Sequence, residues 1–263
     1  MKKDKKAILL FLGIMVVLSC ICYFVRIKGG DAAEGMIGIL MFCPAITAII
    51  VRAIFYRKEK ILGLCGCKIK YILMAIAVPV LYLGVTYGLY WIIDGKAFTG
   101  SLPEGSAPML LIGLVTSLIG AAGEEIGWRG FLMPRLKEVF NVKAAILITG
   151  LIWALWHFPL MIAGLYQSGA PLWYALPMFT VEIVGMTTVM AFLRFKSGSV
   201  LPAIILHAAH NYVDQLICAP LTKADNSAYF IGETGFITVV AVVIFAVIAL
   251  VKLKPAPKFK TAK

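Results

Sequence analysis

Charge is scarce in this chain: Asp, Glu, Lys and Arg make up 14% of its 263 residues, against 61% hydrophobic residues. A soluble core of this length needs no such ratio, so the solvent for most of the chain is lipid. Internal repeats and low-complexity tracts are missing, which argues against the inverted-repeat plan of many transporters. There is no HExxH, the helical signature of a zinc peptidase. Histidine is limited to three residues. Of six cysteines, Cys20, Cys22, Cys43 and Cys218 fall in apolar runs, where a thiol behaves as a small apolar group. Cys65 and Cys67 form a single CxC on a basic stretch, which is weak ground for a metal site.

What the chain does have is a series of apolar runs long enough to cross a bilayer. Eight are read, at about 7–25, 36–55, 71–93, 109–126, 144–166, 171–193, 200–221 and 237–253. Backbone groups in lipid must bond within their own segment, so these runs are helices. The expected fold is an all-α membrane protein, a polytopic bundle of about eight transmembrane helices forming a single integral-membrane domain over 1–263. The first run follows MKKDKK as a signal peptide would. It lacks a small-residue cleavage site and opens a series of spans, so it is read as a helix.

The net charge is +12, and its placement argues against a nucleic-acid partner. Lys2, Lys3, Lys5 and Lys6 precede the first run, and Arg57, Lys58, Lys60, Lys68 and Lys70 follow the second. Arg135, Lys137 and Lys143 follow the fourth, Arg194 and Lys196 the sixth, and five lysines lie beyond Val251. The alternate connections hold Arg26, Lys28, Lys96 and Lys223, diluted by Asp31, Glu34, Asp94, Glu104, Asp225 and Glu233. This is the positive-inside pattern, and it puts both termini in the cytoplasm of a bacterial-type cell membrane. The stretch 61–70 reads as a short interfacial piece, 94–108 as an outside loop and 254–263 as a solvated, basic cytoplasmic tail.

Chemistry is concentrated between residues 109 and 221, which stand out as a catalytic core of spans four to seven. An ionisable group within a span costs about 2.5–3.5 kcal/mol on insertion scales and needs a reason. LIGAAGEEIGWRGFLMPRL places Glu124 and Glu125 where the fourth span ends, with Arg129 four residues after the second. Adjacent helical residues point about 100° apart, so one carboxylate can pair with Arg129 while the other faces a cavity and acts as a base. His157 lies in the fifth span, and His207 and His210 in the seventh. His207, Asn211 and Asp214 share a helical stripe, from which His210 points away. Glu182 sits near the middle of the sixth span and is expected to face the bundle interior. With Asp214 and His210 it is a candidate for a supporting role around the site. Trp153, Trp156 and Trp173 are read as packing or interface anchors. His207 lies roughly 10 Å from the cytoplasmic start of its span and His157 roughly 20 Å from its own, at 1.5 Å per residue. The expected cavity lies in the cytoplasmic half, with Glu124 and His207, and the greater depth of His157 fits it poorly.

EEIGWR (EExxxR), WALWH (an aromatic residue, then xxxH) and HAAHN (HxxxN), in this order on successive helices, resemble the CPBP or ABI family. Its members are type II CAAX prenyl proteases and bacteriocin-processing or immunity membrane proteins. The resemblance covers about residues 109–221. The second motif often opens with Phe and here opens with Trp153. The resemblance implies an intramembrane endopeptidase in which Glu124 and His157 activate water, His207 and Asn211 stabilise the oxyanion, and Glu125 and Arg129 support them. It also leaves metal dependence open: Glu124, His157 and His207 could hold Zn²⁺ with one position left for water.

Two other classes compete. Glu124, Glu182, Asp214 and the histidines could relay protons in a transporter. A non-proteolytic immunity or peptide-binding protein could keep the same fold. The expected partners are membrane lipid and a peptide or lipidated protein substrate, and the substrate itself is left open.

Overall fold

The computed structural model describes residues 2–166, 169–223 and 226–253. The expected basic tail at 254–263 and Asp225 lie outside the described residues. Among those described, extended pairing is limited to one isolated bridge between Phe98 and Thr222, and the regular structure is otherwise helical. The helices are α1 (Lys2–Gly29), α2 (Met36–Phe55), α3 (Ile69–Ile93), α4 (Ser106–Glu125), α5 (Met133–Val139), α6 (Val142–Ile162), α7 (Leu172–Ser197), α8 (Leu201–Asn211) and α9 (Phe236–Lys252). A π-helical segment, Ile126–Leu132, joins α4 to α5 in one rod, and a second, Tyr212–Cys218, prolongs α8. Among the described residues the result is the expected bundle of about eight rods in an integral membrane protein.

Six of the described helices are long and apolar enough to cross a membrane. The other two rods differ from the expectation for identifiable reasons. α9 has 17 residues. The rod of α8 carries His207, His210, Asn211 and Asp214, and it can do so because it packs on α3, α4 and α7. Its polar groups meet protein on those sides, where lipid would penalise them. Elsewhere, large apolar side chains such as Ile92, Leu111, Ile112 and Val251 remain exposed on the bundle surface, as a lipid environment requires.

The two ends of the bundle differ in chemistry. At one end, Lys3 pairs with Glu59 at 2.8 Å, Tyr56 donates to Asp4 at 2.8 Å, and Arg135 reaches Asp4 at 3.3 Å. Lys137 lies 4.9 Å from the centroid of the Phe195 ring at the same end. The opposite end is aromatic. Trp91 donates to Thr222 at 2.9 Å, Tyr174 to the Tyr229 carbonyl at 2.6 Å, and Tyr90 stacks on Phe230.

The stretch between α2 and α3 is more than an interfacial piece. Leu62 is buried, and Val200 N–H donates to the Gly63 carbonyl at 2.9 Å. Gly63 adopts φ +69° directly beneath the Arg194 guanidinium, where any Cβ would lie 2.5 Å from a guanidinium nitrogen. The segment therefore tucks under the π-helical turn at 126–132 and closes the basic end of the bundle. Apolar Ile61 and Leu62 between basic clusters fit a plug as well as a surface helix, so sequence alone does not separate the two.

Candidate functional site

The glycines of GAAGEEIGWRG set the position of everything after them. A Cβ at Gly123 would lie 2.7 Å from the Met41 carbonyl oxygen, and one at Gly127 would lie 2.5 Å from the Pro44 carbonyl carbon. Only glycine lets this face of α4 and its π extension lie against the α2 backbone. That contact holds the α4 terminus inside the bundle, so Glu124 and Glu125 are both buried.

The two carboxylates then take separate partners, as their angular separation predicts. Glu125 Oε1 accepts from Arg129 at 2.9 Å and from His207 Nδ1 at 3.0 Å. Arg129 also donates to Thr187 Oγ1 on α7 at 2.7 Å, and its guanidinium lies 4.1 Å from the centroid of the Trp153 ring. Glu125 and Arg129 are fully buried. A pair so placed is held by geometry and by the partners of both ions, because removing either leaves a bare charge. The network ties α4, α7 and α8 together.

Glu124 has a different partner. Trp153 Nε1 on α6 donates to its Oε2 at 2.6 Å. One turn further along α6, His157 Nδ1 lies 2.9 Å from the Trp153 carbonyl oxygen. A carbonyl can only accept, so Nδ1 carries the hydrogen and a neutral ring leaves Nε2 with its lone pair. On sequence alone, Trp153 reads as a packing or interface anchor. It instead holds the Glu124 carboxylate, orients His157 through its own carbonyl and stacks on Arg129. The signal was the indole in place of Phe: an indole N–H within a span seeks an acceptor.

Glu124, His157, His207 and Asn211 all line one cavity of about 180 Å³. The same cavity is lined by His210 and Glu182. His210 bonds Tyr82 on α3 through Nδ1, and its Nε2 lies 4.0 Å from Glu182 Oε1 and 3.9 Å from Glu233 Oε1. It is therefore not merely off the stripe. Asp214 does not join this group. It accepts from Tyr87 at 2.8 Å and lines a second chamber of about 410 Å³. The reason is local: from Tyr212 the helix widens to π geometry, which absorbs an extra residue per turn. The stripe of His207 and Asn211 thus passes to Gln215, which lines the cavity in place of Asp214.

Glu233, in the connection before α9, and Tyr166, which ends the fifth apolar run but lies beyond α6, complete the cavity wall, and neither was among the expected site residues. Tyr166 O–H and Gln215 Nε2 both donate to the Glu233 carboxylate, the latter at 3.0 Å. Burial pushes the Glu233 carboxyl above the ordinary glutamate range, the direction expected of a carboxylate whose donors are neutral. The cavity begins at Glu124 and His207 and extends to Tyr166, Gln215 and Glu233, away from the end closed by residues 61–63. This corrects the expected position in the half nearer the basic clusters. The depth of His157, which sat poorly with that expectation, fits this one.

Among the described residues, no three His, Cys, Asp or Glu side chains are placed to hold one metal ion. Glu124, His157 and His207 share the cavity without forming such a ligand set, so no step below is routed through a metal.

Comparison with known proteins bears on this segment. Residues 106–213 match the family model described as type II CAAX prenyl endopeptidase Rce1-like. A curated protein from Methanococcus maripaludis, named CAAX prenyl protease 2, is 32% identical over 132 residues, which are 48% of this chain and 46% of that protein. The chain thus spans about half the length of the relative it matches. Over residues 106–213, which hold EExxxR, the WALWH histidine and HxxxN in order, the chain matches the Rce1-like family of type II CAAX prenyl endopeptidases, as the resemblance of its motifs implied.

Proposed function

We propose that this protein is an intramembrane endopeptidase that hydrolyses a peptide bond of a membrane-associated or lipidated peptide. The observation that carries the reading is the contrast at the α4 terminus. Glu125 is consumed by Arg129 and His207, whereas Glu124 is bonded by a neutral indole and lines the same cavity as His157, whose Nε2 is unprotonated. A water held between Glu124 and His157 loses a proton to Glu124 as its oxygen bonds to the peptide carbonyl carbon. The carbonyl oxygen then becomes an oxyanion. His207 donates through Nδ1 to Glu125, and as an imidazolium it offers a second N–H at Nε2 to that oxygen, with the Asn211 amide as the other donor. When the tetrahedral species collapses, the C–N bond breaks and the leaving amine takes the proton from Glu124. A dry cavity strengthens each of these electrostatic interactions.

The metal-free form of this scheme is part of the proposal. The substrate reaches the cavity from the end that carries Tyr166, Gln215 and Glu233. The positive-inside pattern makes this the extracytoplasmic end, opposite cytoplasmic termini. A prenylated CAAX tail is the substrate type given by the family name and remains one candidate among membrane-associated peptides. The test is mass spectrometry of peptides accumulating in cells that express wild-type protein or Glu124→Gln. A membrane-associated peptide present uncut only with the variant supports the reading. Identical peptide profiles, together with equal turnover by the two purified proteins in nanodiscs, would sink it.

A further inference from the structure

Glu182 is 1% exposed, sits at the middle of α7 and lines the cavity, yet neither carboxylate oxygen has a hydrogen-bond partner. The proposed hydrolysis does not use it. His210 Nε2 lies 4.0 Å from its Oε1, beyond hydrogen-bond reach, and Glu233 approaches the same nitrogen at 3.9 Å. Two carboxylates thus converge on one part of the cavity wall, and among the described residues no Lys or Arg side chain lines that cavity. Arg129, the guanidinium of EExxxR, is taken by Glu125 and Thr187. Elsewhere in the bundle, the buried acid Glu125 has a cation of its own. A carboxylate kept in an apolar helix without one is costly, and the cost is relieved if the ligand brings the cation.

The surroundings suit a particular cation. The Tyr166 and Phe179 rings pack 6.0 Å apart beside these carboxylates and can receive an ammonium or guanidinium by cation–π attraction. Ile183 and Met186, on the same helix as Glu182, offer an apolar wall for methylene groups. We infer that Glu182 and Glu233 form a subsite for a basic side chain, Lys or Arg, of the peptide that the site cleaves. The inference rests on the peptidase reading for the word substrate, but the binding it asserts can be measured without cleavage.

The test uses full-length protein in nanodiscs and a set of quenched apolar peptides, identical except for Lys, norleucine or Glu at one position, scanned across the sequence. At one position wild type should favour Lys over norleucine in kcat/KM by roughly ten- to hundredfold, the range of one charge-assisted hydrogen bond. Glu182→Gln should bring that ratio close to one. Glu233→Gln, at the partly exposed mouth, should lower it by a smaller factor and serves as the second variant if Glu182→Gln does not fold. A structural role for Glu182 would lower both rates alike and leave the ratio intact, which would overturn the subsite. Anisotropy of labelled Lys and norleucine peptides bound to Glu124→Gln supplies the arm without catalysis. Preferential Lys binding that Glu182→Gln abolishes supports the subsite even if wild type cleaves nothing, in which case the peptidase reading fails alone. Cleavage or binding with no preference for Lys, or no binding of either peptide, overturns the subsite and leaves the peptidase reading to its own test.

Discussion

On the Glu125 side of the α4 terminus, charges and donors are matched within the protein. Arg129 and His207 meet one oxygen of Glu125, Thr187 takes the other end of the guanidinium, and the Trp153 ring covers it. On the Glu124 side, a carboxylate and the His157 imidazole face a cavity, held by a neutral indole and a backbone carbonyl. The two sides begin at adjacent residues of one helix. Their difference teaches that a buried ion pair here serves as a mount. It ties three helices together and holds His207, while Glu124, which has no such ion pair, is the carboxylate that the proposed hydrolysis uses as its base.

That contrast is broken most directly by exchanging the charge on each side. Glu124→Gln should lower kcat/KM on a cleaved peptide by about 10²–10⁴-fold, the usual contribution of a positioned base, with thermal stability close to wild type. Glu125→Gln should act first on the fold. Arg129 would keep a buried charge without its anion, at a cost of roughly 3–5 kcal/mol, and yield and melting temperature should fall. Paired melting curves and initial rates check both. A stable Glu125→Gln beside an unfolded Glu124→Gln would reverse the two roles.

The oxyanion donors give the next largest effect and separate two mechanisms. Asn211→Ala should cut kcat by about 10²–10³-fold with little change in KM, because its bond forms in the transition state. Under the metal-free scheme, activity should survive exhaustive chelation and the purified protein should lack stoichiometric zinc. If chelation stops turnover and zinc restores it, Glu124 and the histidines act as ligands and the glutamate-activated water is wrong.

The sequence made some of these distinctions visible and hid others for physical reasons. The Glu124–Glu125 division followed from the angular step of a helix and the four-residue spacing to Arg129. The bundle followed from the length of the apolar runs. The exchange of Asp214 for Gln215 could not be read, because a π turn leaves no mark that a 3.6-residue periodicity detects. Glu233 lay in a connection and Tyr166 at the unremarkable end of the fifth apolar run, and only the return of the connection before α9 over the bundle brings the two together at the cavity. The plug at 61–63 was hidden in the same way, since its burial depends on Val200 and Arg194, far along the chain.

Trp153 belongs to both sides, and its replacement should have the smallest and most selective effect. Its ring stacks on Arg129 while its N–H bonds Glu124. Trp153→Phe keeps an aromatic face over the guanidinium and removes only the donor to Glu124. A charge-assisted hydrogen bond is worth roughly 1.5–3 kcal/mol, so turnover should fall by about ten- to hundredfold while the melting temperature barely moves. Trp153→Leu removes the aromatic face as well and should lower stability in addition to rate. The pair therefore separates holding the base from mounting the ion pair. Wild-type turnover in Trp153→Phe would mean that the indole donor does not position Glu124. A melting temperature lowered as far as in Glu125→Gln would mean that Trp153 serves the mount alone.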